Sequence, residues 1–423
     1  MKAFFIYLLV LTTFCELTLN LCVTGMASTS SRSAYYESTQ AHKQLNETAK
    51  NKAESEGVKF YRTESASHST RNDGARFDYD SISTFSSVAS AAMQDYYNQL
   101  GMQTSFNAYS YYGHTPLTAA MFSVKYEFTD NTPSLPTNMT EIGSQTYSTG
   151  NNAASTVHLY EYNNTLPLGF MVNMSTEANW NKETGNPFTT QNSFVKTAID
   201  SDANIFHQLQ TTDTVGTFTA KYQLEEDDNY KPSGDAATYD VYFYCVTSSE
   251  TLTVNITNGS ITDDNSTTKT FSSTNQNYIC HVGNVSAGST ITVTASDGQA
   301  LTTCYAYAFD NDAWETAYKL LNKNPYTVES YSDTKITGKV TAKKQGIMYT
   351  SIPYDKGWNV YVDGVKSKTT SICSGALTGV LVEAGTHEIT FKYTPKGLVP
   401  GIVITIICLL IFLGIIYKDN IIN

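Results

Sequence analysis

The sequence predicts a membrane-anchored protein that is mainly β with an α+β part, in which two transmembrane helices flank an α/β domain and two β-sandwich-like domains. Three observations predict this class. An apolar stretch lies near each end of the 423-residue chain. Helix and strand patterns are mixed up to about residue 205, and short alternating strands separated by turn signals follow. A composition of 41% hydrophobic and 16% charged residues is typical of ordered globular domains.

These patterns divide the chain into seven consecutive segments. They are a transmembrane helix or signal-like segment at 1–27, a polar helical stalk at 28–57, a mixed α/β domain at 58–205, a β-sandwich at 206–310, a linker helix at 311–326, a small membrane-proximal β-sandwich at 327–396 and a transmembrane helix at 398–417.

The last apolar stretch, LVPGIVITIICLLIFLGIIY, has the ~20 residues that a helix needs to cross the hydrocarbon core of a membrane. The first stretch is either a cleaved signal peptide or a retained helix. Glu16 and Asn20 interrupt its apolar run, and such residues usually face other helices or a watery cavity, which favours retention. We therefore expect a cell-membrane protein with both termini in the cytoplasm and the bulk of the chain outside it.

A β-hairpin is predicted at 357–368, GWNVYVDGVKSK, within the membrane-proximal segment. Asp363 and Gly364 favour a two-residue type I′ turn, because this turn needs positive φ at both central positions. Trp358 opens the alternating strand before the turn and is predicted to be a core anchor. We expect these three residues to have structural roles.

The cysteines leave their pairing open. Four lie between the apolar stretches, and their wide spacings resemble no metal site. Three of these, Cys245, Cys280 and Cys304, fall in strand-like runs, so buried thiols and a disulfide are both compatible with the sequence.

Several classes of function find no support in the sequence. The net charge of -12 comes without a cluster of Lys and Arg, which argues against a nucleic-acid partner. The chain has no dinucleotide fingerprint, no P-loop and no HExxH motif. The acidic run at 225–228 and the pair Asp310 and Asp312 lack EF-hand spacing and are predicted to be solvated loops. We expect no catalytic residue, no cofactor and no metal site.

An aromatic cluster suggests a place for a carbohydrate. The stretch FNAYSYYGHTP at 106–116 is loop-like, and aromatic faces bind the apolar C–H surface of sugar rings. The candidate ligand-binding residues in it are Phe106, Tyr109, Tyr111, Tyr112 and His114. The alternative is a loop folded onto the domain core. Arg62 is a candidate for contacting a phosphate of a lipid carrier or polymer, and the alternative for it is a buried ion pair with Glu64 or another acid.

Several stretches together resemble a known family. GIMYTSIPYDKGWNVYVDGVK, then GALTGVLVEAGTHEITFKYTPKGLVPG and an apolar helix, resemble the C-terminal end of the YfhO family of bacterial membrane proteins. Further similar stretches follow the family's order: KFYRTE, NDGARFDYDSISTFSS, PLTAAMFSVKYEF, LPLGFMVN and NPFTTQNSF. ELTLN in the first apolar stretch is similar to the helix that precedes this region in the family. The resemblance covers nearly the whole chain and is specific in the combination of its motifs.

The resemblance implies a relation to GT-C-like membrane glycosyltransferases, which use polyprenyl-phosphate sugars and include proteins that glycosylate lipoteichoic acid. The chain starts at what resembles the last helix before the extracytoplasmic region, and the family's helix bundle with its catalytic acids does not occur in it. We expect either a shortened or split gene product, with the bundle in a separate YfhO-like chain, or a family module with its own role. The expected partners are the lipid bilayer, that chain, and a polyprenyl-phosphate sugar or teichoic acid polymer. The alternative is a non-enzymatic surface module that binds cell-wall glycan or protein. An independent hydrolase is a third, less supported hypothesis.

Overall fold

The computed structural model describes residues 2–28, 35–130, 138–150, 153–182, 185–213, 219–223, 238–262 and 265–422. The helices in these ranges are α1 (Lys2–Ser28), α2 (Thr39–Ser55), α3 (Asp73–Phe77), α4 (Ala91–Gln99), α5 (Pro116–Met121), α6 (Thr176–Asn179), α7 (Pro187–Ile199), α8 (Asn311–Leu321) and α9 (Leu398–Ile422). The strands are β1 (Arg62–Ser65), β2 (Thr84–Phe85), β3 (Thr104–Ser105), β4 (Ala108–Tyr109), β5 (Val124–Asp130), β6 (Met139–Ser148), β7 (Ala154–Tyr162), β8 (Gly169–Val172), β9 (Phe206–Gln208), β10 (Gln210–Asp213), β11 (Thr219–Gln223), β12 (Thr238–Thr247), β13 (Thr251–Thr257), β14 (Thr268–Ser272), β15 (Cys280–Ser286), β16 (Thr290–Ala295), β17 (Leu301–Phe309), β18 (Tyr326–Ser332), β19 (Lys335–Ala342), β20 (Gly346–Pro353), β21 (Trp358–Val362), β22 (Val365–Ser367), β23 (Thr370–Ile372), β24 (Leu377–Val382) and β25 (Gly385–Tyr393).

The mainly β architecture with an apolar helix toward each end is confirmed. Among the described residues, the helical stretches Lys2–Gly25 and Leu398–Lys418 are long and apolar enough to cross a membrane, and neither is buried against the rest of the protein.

The first sheet has the strand order β1-β5-β7-β6, with β1 and β5 parallel and the other pairs antiparallel. Helix α2 covers one face, because its apolar residues recur at helical spacing: Leu45, Ala49 and Ala53 pack against Tyr126 and Phe128 of β5. The other face meets the large central core. Strand β5 is therefore buried on both faces.

Two further sheets share a core in the region of the predicted first sandwich. Their strand orders are β10-β11-β16-β13-β14 and β15-β12-β17-β9. Val241 of β12, Val254 of β13 and Val293 of β16 meet in this core. The pairing that the sequence left open is a disulfide between Cys245 and Cys304, which lie opposite one another on β12 and β17. Cys280 is a buried free thiol.

The membrane-proximal part has the sheets β18-β19-β25-β21-β22 and β23-β24-β20-β8. Residues of both sheets, including Met348, Val360 and Phe391, form one core. Strand β8 lies in the segment predicted as α/β, yet it pairs with β20. Hydrogen bonding thus crosses the predicted domain borders, and the division into domains stays a prediction.

The hairpin at 357–368 has Val362 paired with Val365, and both turn residues have positive φ: 51° at Asp363 and 78° at Gly364. The carboxylate of Asp363 also accepts a hydrogen bond from the Glu388 amide (2.9 Å). Trp358 is half-buried, with its ring centroid 5.0 Å from that of Tyr393. It lies at the edge of the core rather than at its centre.

One local expectation turned out differently. Asp310 is the N-cap of α8, where its carboxylate accepts from the Ala313 amide (2.9 Å). The acidic run at 225–228 lies outside the described residues.

Candidate functional site

A cavity of about 370 Å³ lies between the first sheet and the β12 sheet, and we call it the histidine cleft. One wall comes from the stretch 112–114 and from Glu127 of β5, and the other from Tyr242, His281 and the segment 269–280. It combines aromatic rings with a buried carboxyl group and two imidazoles. Such a mixture of apolar surface and a few convergent polar groups is characteristic of ligand sites.

Close backbone contacts hold the two walls together. The amide of Ile279 donates to the carbonyl oxygen of Gly101 (2.8 Å). Gly113 has a φ of 85°, and a Cβ there would lie 2.3 Å from the Gly101 oxygen and 2.9 Å from Cβ of Tyr278. Only glycine fits this position, because it has no Cβ and tolerates positive φ. The shape of the cleft thus depends on a local backbone requirement.

Glu127 is the buried acid of the cleft. Its Oε2 accepts hydrogen bonds from the hydroxyls of Tyr111 (2.7 Å) and Tyr162 (2.8 Å). The Nε2 atom of His114 lies 3.3 Å from the same oxygen. Burial raises the pKa of Glu127 to about 7, against the opposing effect of the two tyrosine hydroxyls. Near neutral pH this group therefore exists in both its acid and its ionised form.

His114 lies beside this acid. Its ring stacks on Tyr111, with 3.8 Å between centroids and 8° between the planes. Burial, together with the nearby charge of His281, lowers the pKa of His114 to about 3. An ion pair would instead lower the pKa of Glu127 and raise the pKa of His114. We favour a neutral pair, because both groups are desolvated.

The opposite wall carries an oriented imidazole. Asp240 of β12 is buried, and its Oδ1 lies 2.6 Å from Nε2 of His281. The ring of Tyr242 stacks on His281 with 4.4 Å between centroids. A carboxylate and an aromatic face thus fix the orientation of the His281 ring at the cleft.

The ligand-binding residues predicted in the stretch 106–116 do not all lie together in the structure. Tyr112 and His114 line the histidine cleft, whereas Tyr111 is fully buried behind it. Tyr109 packs on Tyr97, with 4.7 Å between ring centroids. Phe106 is 86% exposed and lies outside the cleft. The ligand-binding role stays a prediction, and the geometry concentrates it on Tyr112 and His114.

Arg62 lies elsewhere and has other partners. Its guanidinium donates to the carbonyl of Phe122 (2.6 Å) and to the hydroxyl (2.7 Å) and carbonyl (3.1 Å) of Ser351. Among the described residues, it forms no ion pair with Glu64 or another acid. The side chain therefore connects the first sheet to β20.

The sequence analysis did not identify Glu127, Asp240, Tyr278 or His281 as site residues. A signal for Glu127 was present, because it is an acid within the mostly apolar run PLTAAMFSVKYEF. No comparable local signal marks Asp240 or Tyr278. In the described ranges, no group of three or more His, Cys, Asp or Glu side chains is arranged to hold a metal ion.

The fold and this site define a class of protein: a membrane protein with a β-rich body and two apolar helices able to cross the bilayer. The chain belongs to the YfhO family, because the family model described as "Bacterial membrane protein YfhO" matches residues 1–405. The match includes the first apolar helix, the β-rich body and the start of the last helix.

Other comparisons add little. No curated protein matches the chain. A quercetin 2,3-dioxygenase from Acinetobacter baumannii is similar at 10% identity over 45% of this chain and 79% of its own, with a TM-score of 0.11. GK1651 from Geobacillus kaustophilus is similar at 9% identity over 45% of this chain and 95% of its own, with a TM-score of 0.09. TM-scores this low say nothing about the fold.

Proposed function

We propose that the β-rich body lies outside the cytoplasm and that the histidine cleft binds the acceptor in a glycosylation reaction that uses a polyprenyl-phosphate sugar. The acceptor is a cell-wall polymer of the lipoteichoic acid type. In this proposal the chain holds the polymer near the bilayer, and the transfer chemistry belongs to a membrane-embedded helix bundle.

The observation that carries the proposal is the composition of the cleft. Tyr112 and Tyr278 offer aromatic faces to C–H surfaces, and the carboxyl of Glu127 and the imidazole of His281 offer hydrogen-bonding groups to hydroxyls. Lys269 supplies a cation at the same cavity. A polymer with hydroxyls and phosphates matches this set of groups.

The disulfide supports an extracytoplasmic position. Structural disulfides persist in oxidising environments and are rare in the cytosol. The bond between Cys245 and Cys304 joins the two strands that lead toward this wall of the cleft, so an oxidising compartment suits the body that carries the site.

The test measures binding of deacylated lipoteichoic acid to the full-length protein in detergent by calorimetry. We expect Tyr278→Ala and His281→Gln each to weaken binding about tenfold, which corresponds to the loss of one good contact. Phe106→Ala is the matched control, because this aromatic residue is exposed and lies outside the cleft. Equal binding by all four proteins would refute the cleft as the site.

A second measurement separates binding from participation in glycosylation. Membranes that contain the protein are supplied with a radiolabelled polyprenyl-phosphate sugar, and label in the polymer is counted. We expect Tyr278→Ala to reduce incorporation in parallel with binding. Binding that depends on the cleft, with no effect on incorporation, would replace this proposal by that of a non-enzymatic surface module.

A further inference from the structure

A second cavity, of about 700 Å³, lies between α2, the segment 59–84 and strand β18. We call it the tyrosine cleft. It shares no lining residue with the histidine cleft. Tyr331 is distant in sequence from the other lining residues, so the cavity exists only in the folded protein.

Aromatic rings form much of its lining. Phe60 and Tyr331 meet edge to face, with 4.9 Å between centroids. Phe60 is half-buried and Tyr331 is 39% exposed, so part of this pair remains accessible from the cavity. Tyr61 and Tyr79 add two further rings. Such a surface binds the C–H faces of sugar rings at low cost in side-chain entropy.

One cation of the lining lacks an ion-pair partner among the described residues. The ammonium of Lys59 is exposed and forms no ion pair with another described residue. By contrast, Lys50 contacts the carboxylates of Glu47 and Asp78, each at 3.1 Å. Lys59 thus has hydrogen-bonding capacity that a ligand can use.

The charges of the lining do not favour a strongly anionic ligand. Lys50 and Lys59 are balanced by Asp78 and Asp80, so the four charges cancel at neutral pH. Phosphates close to the two carboxylates would be repelled. Hydroxyl groups instead can accept from an ammonium and donate to a carboxylate without a net charge of their own.

We propose that the tyrosine cleft is a second binding site of this protein and that it takes a neutral oligosaccharide. The sugar ring packs on Phe60 and Tyr331, and its hydroxyls accept hydrogen bonds from the ammonium of Lys59. The site is independent of the function proposed for the histidine cleft, since neither set of residues contributes to the other cavity.

The tyrosine cleft lies between the segment that leads into the first sheet and the sheet next to the membrane helix. Tyr331 belongs to the sheet that contains β25, and β25 ends at Tyr393, shortly before α9 begins at Leu398. Phe60 precedes β1 of the first sheet. An oligosaccharide packed on both Phe60 and Tyr331 therefore bridges the segment that leads into the first sheet and the sheet next to the membrane helix.

The test uses the full-length protein in a detergent with no sugar headgroup. Maltotriose, gentiobiose and chitotriose are the neutral probes, and glycerol 3-phosphate is the anionic probe. Binding is measured by saturation-transfer NMR. We expect at least one neutral probe to bind, Tyr331→Ala to weaken it about tenfold, and Lys59→Ala to weaken it severalfold.

Two controls assign the binding to this cavity. Tyr361→Ala removes a tyrosine from the same sheet as Tyr331 but outside the cleft, and it should leave the affinity unchanged. Tyr278→Ala alters the histidine cleft and should also have no effect. Failure of all three neutral probes, or equal binding by the Tyr331→Ala and Lys59→Ala variants and the parent protein, would overturn the proposal. Binding of glycerol 3-phosphate alone would overturn the assigned ligand class.

Discussion

Two buried glutamates in neighbouring strands have opposite electrostatic behaviour. Glu64 of β1 and Glu127 of β5 are register partners in a parallel pair, and both are almost fully buried. Burial alone raises the pKa of both. Yet the pKa of Glu64 is held below its ordinary value, whereas the pKa of Glu127 is raised to about 7. The difference comes from the groups around them: His68 lowers the pKa of Glu64 through a hydrogen bond and its charge, whereas the charge of Glu64 raises the pKa of Glu127.

Glu64 is surrounded by donors that the fold supplies locally. Its Oε1 accepts from the Ser81 hydroxyl (2.6 Å), the Ser83 amide (3.1 Å) and the Ile82 amide. Its Oε2 accepts from the Ser83 hydroxyl (3.1 Å) and lies 3.2 Å from Nε2 of His68. Together with the charge of His68, these hydrogen bonds favour the ionised form of Glu64 and outweigh the cost of burial.

Glu127 has two tyrosine hydroxyls and an uncharged imidazole within reach, all at Oε2, and no backbone amide is among these partners. These few donors do not offset the cost of burying a charged carboxylate, so Glu127 stays protonated to higher pH. The comparison indicates that the imidazole of His68 and several hydrogen-bond donors keep Glu64 ionised, whereas Glu127, with fewer donors and the charged Glu64 beside it, is able to exchange a proton at the cleft. Three predictions test it.

The largest effect is expected for Glu64→Ala. The substitution leaves several buried donors without an acceptor, and breaking a buried charged network of this kind typically costs about 3–5 kcal/mol. The measurement is the unfolding free energy of the first sheet, obtained from denaturant-dependent hydrogen exchange of peptides from β1 and β5. Glu141→Ala is the control, because Glu141 is an exposed acid on β6 of the same sheet, and its loss should cost at most about 1 kcal/mol. Similar costs for both variants would contradict the structural role of Glu64.

A smaller, pH-dependent effect is expected for Glu127→Gln. The pKa of Glu127 in the folded state is about 7, above its ordinary value of 4.5. Between these values the folded protein binds more protons than the unfolded chain, so this group makes stability fall as pH rises. Removing it should stabilise the protein by on the order of 1–3 kcal/mol near pH 8 and leave it unchanged near pH 4.

The difference in unfolding free energy between the parent protein and Glu127→Gln isolates the contribution of Glu127. The lowered pKa of His114 makes stability rise with pH, because the unfolded chain binds more protons at this histidine than the folded protein does. This effect is present in both proteins. The readout is the difference in unfolding free energy across the pH range. A constant difference would mean that Glu127 titrates normally in the folded protein.

The sequence predicted features that depend on local chemistry. The turn at Asp363 and Gly364 needs only two residues that tolerate positive φ, and the strands around it follow from alternation. The N-terminal and C-terminal apolar helices depend on composition within one stretch. These signals lie within a few residues of the element that they specify.

Features that join distant segments could not be predicted in the same way. The Cys245–Cys304 pairing depends on the register of β12 and β17, which no short stretch reveals. The pairing of β8 with β20 depends on the packing of the whole body. The sequence marks Glu127 as an acid in an apolar run, but its contact with Tyr162, 35 residues further along the chain, depends on the fold. Periodicity predicts which residues are buried, but not which buried polar groups meet.

The smallest predicted effect concerns a single hydrogen bond, from the Tyr162 hydroxyl to Glu127. Tyr162→Phe removes one of the two hydroxyls that donate to Oε2 of Glu127, at a cost of about 1 kcal/mol. Since that hydroxyl favours the ionised carboxylate, its loss should raise the pKa of Glu127 further, by about one pH unit. Infrared titration of the buried carboxyl band measures the change. Tyr160→Phe is the control on the same strand, because the interaction of the Tyr160 hydroxyl is with Glu141 instead. A lower pKa of Glu127 in Tyr162→Phe would mean that the hydroxyl favours the acid form. The opposite behaviour of Glu64 and Glu127 would then need another cause than their donors.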